Sequence, residues 1–145
     1  MLEDRVELEV TAHPALEDVA ALSSGLEAFN QNIPLARDRT KRPLAVFLRR
    51  DGRVVGGASG DTHYGWLYLD LLWVEESLRG AGWGRQLVER FESEAMTRGA
   101  QRAWVDTYGF QAPDFYERLG YREFGRLEDF PPGSARHFLW KSLGG

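Results

Sequence analysis

The chain has 145 residues, 43% hydrophobic and 28% charged, an ordinary balance for one globular domain. Its formal net charge of -4 lacks the basic surplus of a non-specific nucleic-acid binder, and the absence of cysteine excludes a disulfide scaffold, a thiol nucleophile and a cysteine-ligated metal. The charged start Met1-Leu2-Glu3-Asp4-Arg5 is unlike a signal peptide, and no apolar run approaches the roughly 18 residues of a membrane helix. The expectation is a cytoplasmic chain, 1–145 as a single domain, with neither nucleic acid nor membrane as partner.

In chain order, Val6, Leu8 and Val10 alternate with Glu7, Glu9 and Thr11, which predicts a first strand. Pro14 opens a helical stretch with Leu16, Val19, Leu22, Leu26 and Phe29 on one stripe. Asn30 to Arg42 is polar and irregular, broken by Pro34, and reads as a loop or a short second helix. Leu44–Arg49 and Arg53–Ser59 flank Asp51-Gly52, a pair suited to the positive φ angles of a type I′ hairpin. Trp66–Val74 is apolar apart from Asp70 and reads as a central strand buried on both faces. Trp83–Arg98 predicts a helix with Leu87, Val88, Phe91, Ala95 and Met96 inward, Glu89, Arg90, Glu92 and Glu94 outward, and Gly99 as its C-terminal cap. Ala103–Thr107 is another strand, and Pro113-Asp114 starts a short helix ending at Gly120. Tyr121–Leu127 and His137–Leu143 are the last strands. The expected fold is α/β, a mixed sheet of about seven strands with about four helices, in the order β-α-βββ-α-β-α-ββ.

The segment Arg79-Gly80-Ala81-Gly82-Trp83-Gly84-Arg85 joins a strand to an amphipathic helix. Glycines let backbone approach a ligand closely, and the first amides of a helix have no internal partners, so such a junction binds anions such as a pyrophosphate. Arg79 and Arg85 add donors suited to phosphate. A bare G-x-G also suits a plain turn. The loop is not G-x-G-x-x-G and lies after a hairpin, which disfavours a Rossmann dinucleotide site, and no Gly-Lys-Ser/Thr ending makes it a P-loop.

Leu72-Trp73-Val74 followed by Arg79-x-x-Gly82-x-Gly84 resembles the acetyl-CoA motif of the GNAT N-acetyltransferase family. Ala112-x-x-Phe115-Tyr116-Glu117-x-x-Gly120-Tyr121 is similar to the second signature of that family. The resemblance implies a single-domain GNAT-like fold and direct transfer of acetyl from acetyl-CoA to an amine, either a small molecule or a peptide amine. It implies cofactor contacts from Leu72, Trp73 and Val74 through their backbone and from residues 79–85. Tyr116 is the implied general acid, protonated at neutral pH by its ordinary pKa near 10. Asp70, a lone carboxylate in an apolar strand, is a candidate base if burial raises its pKa. Glu75 and Glu76 read as a solvated turn. The acceptor wall of the family maps to the segment holding Phe29 and Asn32, with Tyr108 and Phe110 facing it. One departure stands out: where the family often has an Asn that contacts the pantetheine arm, this chain has Gly109, with Thr107 or backbone as the expected replacement. The alternative reading is an acetyl-CoA sensor or partner-binding module without turnover. His13, His63 and His137 show no metal-ligand spacing, so no metal is expected. The terminal strands offer an edge for a homodimer.

Overall fold

The computed structural model describes residues 5–36 and 40–144. The chain divides into two compact units, Met1–Asp38 and Arg39–Gly145. The first holds one helix, α1 (Leu16–Asn30), and a short 3-10 turn at Pro34–Ala36. Residues 5–11 form no strand. Their alternation matches one, but a strand exists through its ladder, and none of the described strands pairs with this segment.

The second unit carries β1 (Arg42–Arg50), β2 (Arg53–His63), β3 (Trp66–Val74), α2 (Trp83–Thr97), β4 (Arg102–Tyr108), α3 (Pro113–Arg118), β5 (Arg122–Glu128) and β6 (Ala135–Ser142). The six strands form one mixed sheet in the order β1-β2-β3-β4-β6-β5. The described residues thus hold six strands and three α-helices, one strand and one helix fewer than the sequence predicts. Among them no helix is long and apolar enough to cross a membrane.

Asp51 and Gly52 take φ angles of 52° and 78°, and the β1–β2 turn forms as expected. Tyr64 and Gly65 repeat the device between β2 and β3, with φ of 52° and 77°. The β3–β4 pair is parallel, and α2 makes the crossover. Leu87, Val88, Phe91 and Ala95 of α2 bury against Leu67, Leu69, Ala103, Val105 and Leu139 of the sheet. Tyr116 of α3 and Tyr121 join the same core. Met96 instead stays 43% exposed. Glu92, read as an outward residue, is buried, where it accepts from the Tyr121 hydroxyl at 3.0 Å and from Lys141 Nζ at 2.9 Å. Those two donors make its burial affordable. Gly99 ends α2 with φ of 91°, and Ala100 donates back to the Ala95 carbonyl, the expected left-handed cap.

The feature that shapes the site is in β3. Its pairing with β2 runs Gly60↔Leu69 and then Ser59↔Leu71, which leaves Asp70 as an extra residue. Such a bulge inverts the strand's alternation, because side chains have a period of two. Leu67 and Leu69 face the core before it, and Leu72 and Val74 pack on the core after it. Leu71 and Trp73 turn to the other side and stay 65% and 50% exposed. The expectation of a strand buried on both faces is therefore wrong beyond Leu69. Gly60 permits the bulge, since a Cβ there would lie 1.8 Å from the Tyr68 carbonyl oxygen.

Candidate active site

The parallel pairing of β3 with β4 stops at Leu69↔Val105. Beyond it β3 stays paired to β2 as far as Val74, and β4 stays paired to β6 as far as Tyr108. The two strands thus part, and the β4-facing edge of β3 carries backbone groups with no ladder partner from Asp70 onward. A cleft of about 700 Å³ occupies this opening. Its walls are β3 from Asp70 to Val74, the glycine loop, Asp106 and Thr107 of β4, and the start of α3 with Phe115 and Tyr116.

Of the ten residues predicted to hold the cofactor, the cleft gathers Leu72, Trp73, Val74, Arg79, Gly80, Gly82, Trp83, Gly84 and Arg85; Ala81 is outside the lining. Gly80 and Gly82 have φ of 79° and 86°, and a Cβ built on either would meet no atom within 4 Å. The loop therefore uses glycine for its left-handed turns and keeps open space above them. Gly82 caps α2 with no side-chain bond to the first amides of the helix. The N–H groups of Trp83, Gly84 and Arg85 precede the first intrahelical donor, Gln86, which bonds the Gly82 carbonyl. Arg79 Nε donates to the Val74 carbonyl at 3.0 Å, and Arg85 Nε pairs with Glu89 at 2.8 Å, so each guanidinium is steadied on a residue that stays exposed. Arg118, one turn beyond Phe115, adds a third guanidinium to the lining. Its signal in the sequence was its place two residues after Tyr116 on the same short helix.

Tyr116 is 8% exposed and lines the cleft. Burial, and then the Asp106 carboxylate, push its hydroxyl up to about 12, so it stays protonated at neutral pH. Asp70 also lines the cleft and is exposed there rather than buried. Asp106 is the carboxylate that sequence reasoning missed. It accepts from Tyr68 Oη at 2.8 Å and from Arg136 Nε at 2.8 Å, with a second contact from Arg136 Nη2. Burial and this hydrogen bond raise the Tyr68 hydroxyl, and the bond to Asp106 raises the Arg136 guanidinium. No sequence spacing links these three residues, because the pairing of β3, β4 and β6 brings them together. Glu75 belongs to the turn as expected. The Ser77 hydroxyl, and then Arg53 and Arg50, lower its carboxyl below the usual range.

Tyr108 and Phe110 do not line the cleft. They stack on each other at 5.3 Å beyond the end of β4, and the Arg136 guanidinium lies over Tyr108 at 5.6 Å while it holds Asp106. Phe29 and Asn32 lie at the end of α1 and in the turn after it, in the first unit.

The family model described as the acetyltransferase (GNAT) family matches residues 6–121. The chain belongs to the GNAT acetyltransferases. The match crosses the boundary between the two units. The chain is 42% identical over 107 residues to a blasticidin-S acetyltransferase of Streptomyces morookaense, covering 70% of this chain and 79% of that one. It is 38% identical over 135 residues to an acetyltransferase of Agrobacterium fabrum, covering 87% of this chain and 96% of the relative. A crystal structure of a putative acetyltransferase from Agrobacterium tumefaciens superposes with a TM-score of 0.86 at 32% identity, over 95% of this chain and all of the other. This chain is accordingly an acyltransferase, and its cofactor is acetyl-CoA. The residues present fit that group. The open glycine loop and uncapped helix N-terminus suit its phosphates, and the unpaired edge of β3 suits an extended amide-bearing arm.

Proposed function

We propose that the whole chain acts as one acetyltransferase domain that passes acetyl directly to the amine of a small, cationic acceptor, with Tyr116 as general acid. One observation carries the reading: the parting of β3 from β4 brings an unpaired backbone edge, the glycine loop and the buried Tyr116 hydroxyl into one cleft. Bound acetyl-CoA supplies an acetyl group activated as a thioester. The amides of residues 83–85 and the guanidinium groups of Arg79, Arg85 and Arg118 would hold its phosphates. On the edge of β3 that faces away from β2, the N–H groups of Leu72 and Val74 would hold the arm and offer donors to the carbonyl oxygen, while that of Trp73 points to Gly57 of β2. Asp70, exposed at the bulge, takes the proton released by the attacking nitrogen, directly or through water. Tyr116 gives its hydroxyl proton to the departing sulfur.

Charge in the cleft supports a cationic acceptor. The three arginines belong to the loop and α3, while Asp70 stands exposed at the bulge; Asp106 beside it is already paired with Arg136. A cation is drawn to that end and repelled from the other. A small molecule is favoured over a peptide because the relative at 42% identity is named for one. The test is thiol release from acetyl-CoA by the full chain across a panel of small cationic amines, blasticidin S among them, and N-terminal peptides. We expect release matched by an acetylated small amine in the mass spectrum. Peptide acetylation with no small-amine product would overturn the acceptor class, and thiol release with no acetylated amine would overturn the transfer.

A further inference from the structure

Residues 108–111 close β4 with a tight turn in which the Gln111 N–H donates to the Tyr108 carbonyl at 2.9 Å. The Gln111 side chain folds back over this turn. Its Oε1 accepts from the Tyr108 N–H at 3.1 Å and from the Thr107 hydroxyl at 3.1 Å. A backbone N–H can only donate, so the atom facing it is the amide oxygen and the orientation of the amide is set. The nitrogen Nε2 lies on the other branch, and its two N–H donors are assigned no partner among the described residues. Gln111 lines the cleft beside Ala112, Phe115 and Tyr116.

A primary amide clamped at its oxygen has already lost its side-chain freedom, so a bond from its nitrogen costs less ordering than one from a free glutamine. Thr107, the expected replacement for the missing asparagine, donates its hydroxyl proton to Gln111. Position 109 itself is crowded, since a Cβ on Gly109 would lie 3.0 Å from Ser134 Oγ and 3.4 Å from His137 Nε2. The charged end of the cofactor has its arginines and helix amides, whereas the uncharged arm offers amide carbonyls that need donors. We propose that Gln111 Nε2 donates to an amide carbonyl of the pantetheine arm, and that the Tyr108 N–H and Thr107 hydroxyl position it to do so. This rests on acetyl-CoA occupying the cleft.

The test compares the wild type, Gln111→Glu and Gln111→Met by calorimetry against CoA and against adenosine 3′,5′-bisphosphate, which lacks the arm. Glutamate keeps an oxygen for Tyr108 and Thr107 but has no N–H, so it removes the donor and spares the clamp. We expect Gln111→Glu to bind CoA about tenfold more weakly, the worth of one hydrogen bond, and the bisphosphate unchanged. Gln111→Glu equal to wild type, with Gln111→Met weakened, would make the residue a turn clamp and overturn the proposal. Equal weakening toward both ligands would mark a long-range charge effect and also overturn it. A second readout needs no variant to bind: the Gln111 side-chain NH2 resonances of the labelled wild type should shift with CoA and stay still with the bisphosphate. Unmoved resonances at saturating CoA refute the bond. A wild type that fails to bind CoA would instead remove the cofactor from the cleft, a result separable from both.

Discussion

Gly60→Ala tests whether the bulge in β3 makes the site. The added Cβ would stand 1.8 Å from the Tyr68 carbonyl oxygen and 3.2 Å from the Asp70 nitrogen. Real Cβ atoms essentially never come within 3.0 Å of a neighbour, so β2 and β3 must part by more than an ångström. The near atoms are backbone, and no side chain can swing aside to relieve them. Two or three ladder bonds around Ser59↔Leu71 and Gly60↔Leu69 would stretch or break. At roughly 0.5–1.5 kcal/mol each, the loss is about 1–4.5 kcal/mol, which a domain stable by roughly 5–15 kcal/mol survives. The melting temperature should fall by roughly 4–16 °C. CoA affinity, read by calorimetry below the transition, should fall at least about tenfold, because Leu72 and Val74 change their path along the cleft. Gly125→Ala is the control, since its methyl meets nothing nearer than the Phe138 Cβ at 4.0 Å. A Gly60→Ala protein with unchanged melting temperature and CoA affinity would show that the close approach does not shape the cleft.

Tyr116→Phe should lower kcat by about a hundredfold, the lower end for a lost general acid, while CoA affinity stays within about threefold. Equal turnover would hand the proton to water. Gly82→Asp should abolish acetyl-CoA binding, because a side chain at φ of 86° is strained and its carboxylate faces the phosphates. Unchanged affinity would remove the loop from the cofactor site. For pH, Tyr116 has its folded pKa raised from about 10 to about 12, so its neutral form favours folding at every pH below 10. Above pH 10 the unfolded chain loses the proton first, and stability declines as pH rises toward 12, by up to about 3 kcal/mol. Urea unfolding of wild type and Tyr116→Phe across that window should show the wild type losing more; parallel curves would mean that Tyr116 is not held in a buried place.

The elements legible in the sequence are those set by local chemistry. Asp51-Gly52, the cap at Gly99, the Pro113 start of α3 and the periodicity of α2 all depend on residues within a few positions of one another. The failures depend on partners far along the chain. Residues 6–11 alternate like a strand, yet alternation does not supply a neighbour to bond. Glu92 looked outward by its charge, and its burial rests on Tyr121 and Lys141, 29 and 49 residues away. The site divides in the same way. That Arg79, Gly80, Gly82, Trp83, Gly84, Arg85 and Tyr116 line one cleft was legible because short motifs hold them, whereas the places of Asp106, Arg136 and Gln111 depend on strand pairing and a turn clamp.

Asp70 shows why a sequence pattern can be right about a residue and wrong about its reason. A lone carboxylate in an apolar run signals something special, and burial was the natural account. The structure gives a different one. Asp70 is the residue that does not pair, and its insertion moves Leu72 and Val74 into the core positions that Leu71 and Trp73 would otherwise take. The β3–β4 ladder ends at the residue just before it. The inverted alternation, the unpaired backbone edge and the exposed carboxylate therefore share one cause. An apolar residue at this position would have to stand exposed at the bulge, whereas a carboxylate there tolerates solvent. The carboxylate is compatible with the bulge, and the bulge is what opens the cleft.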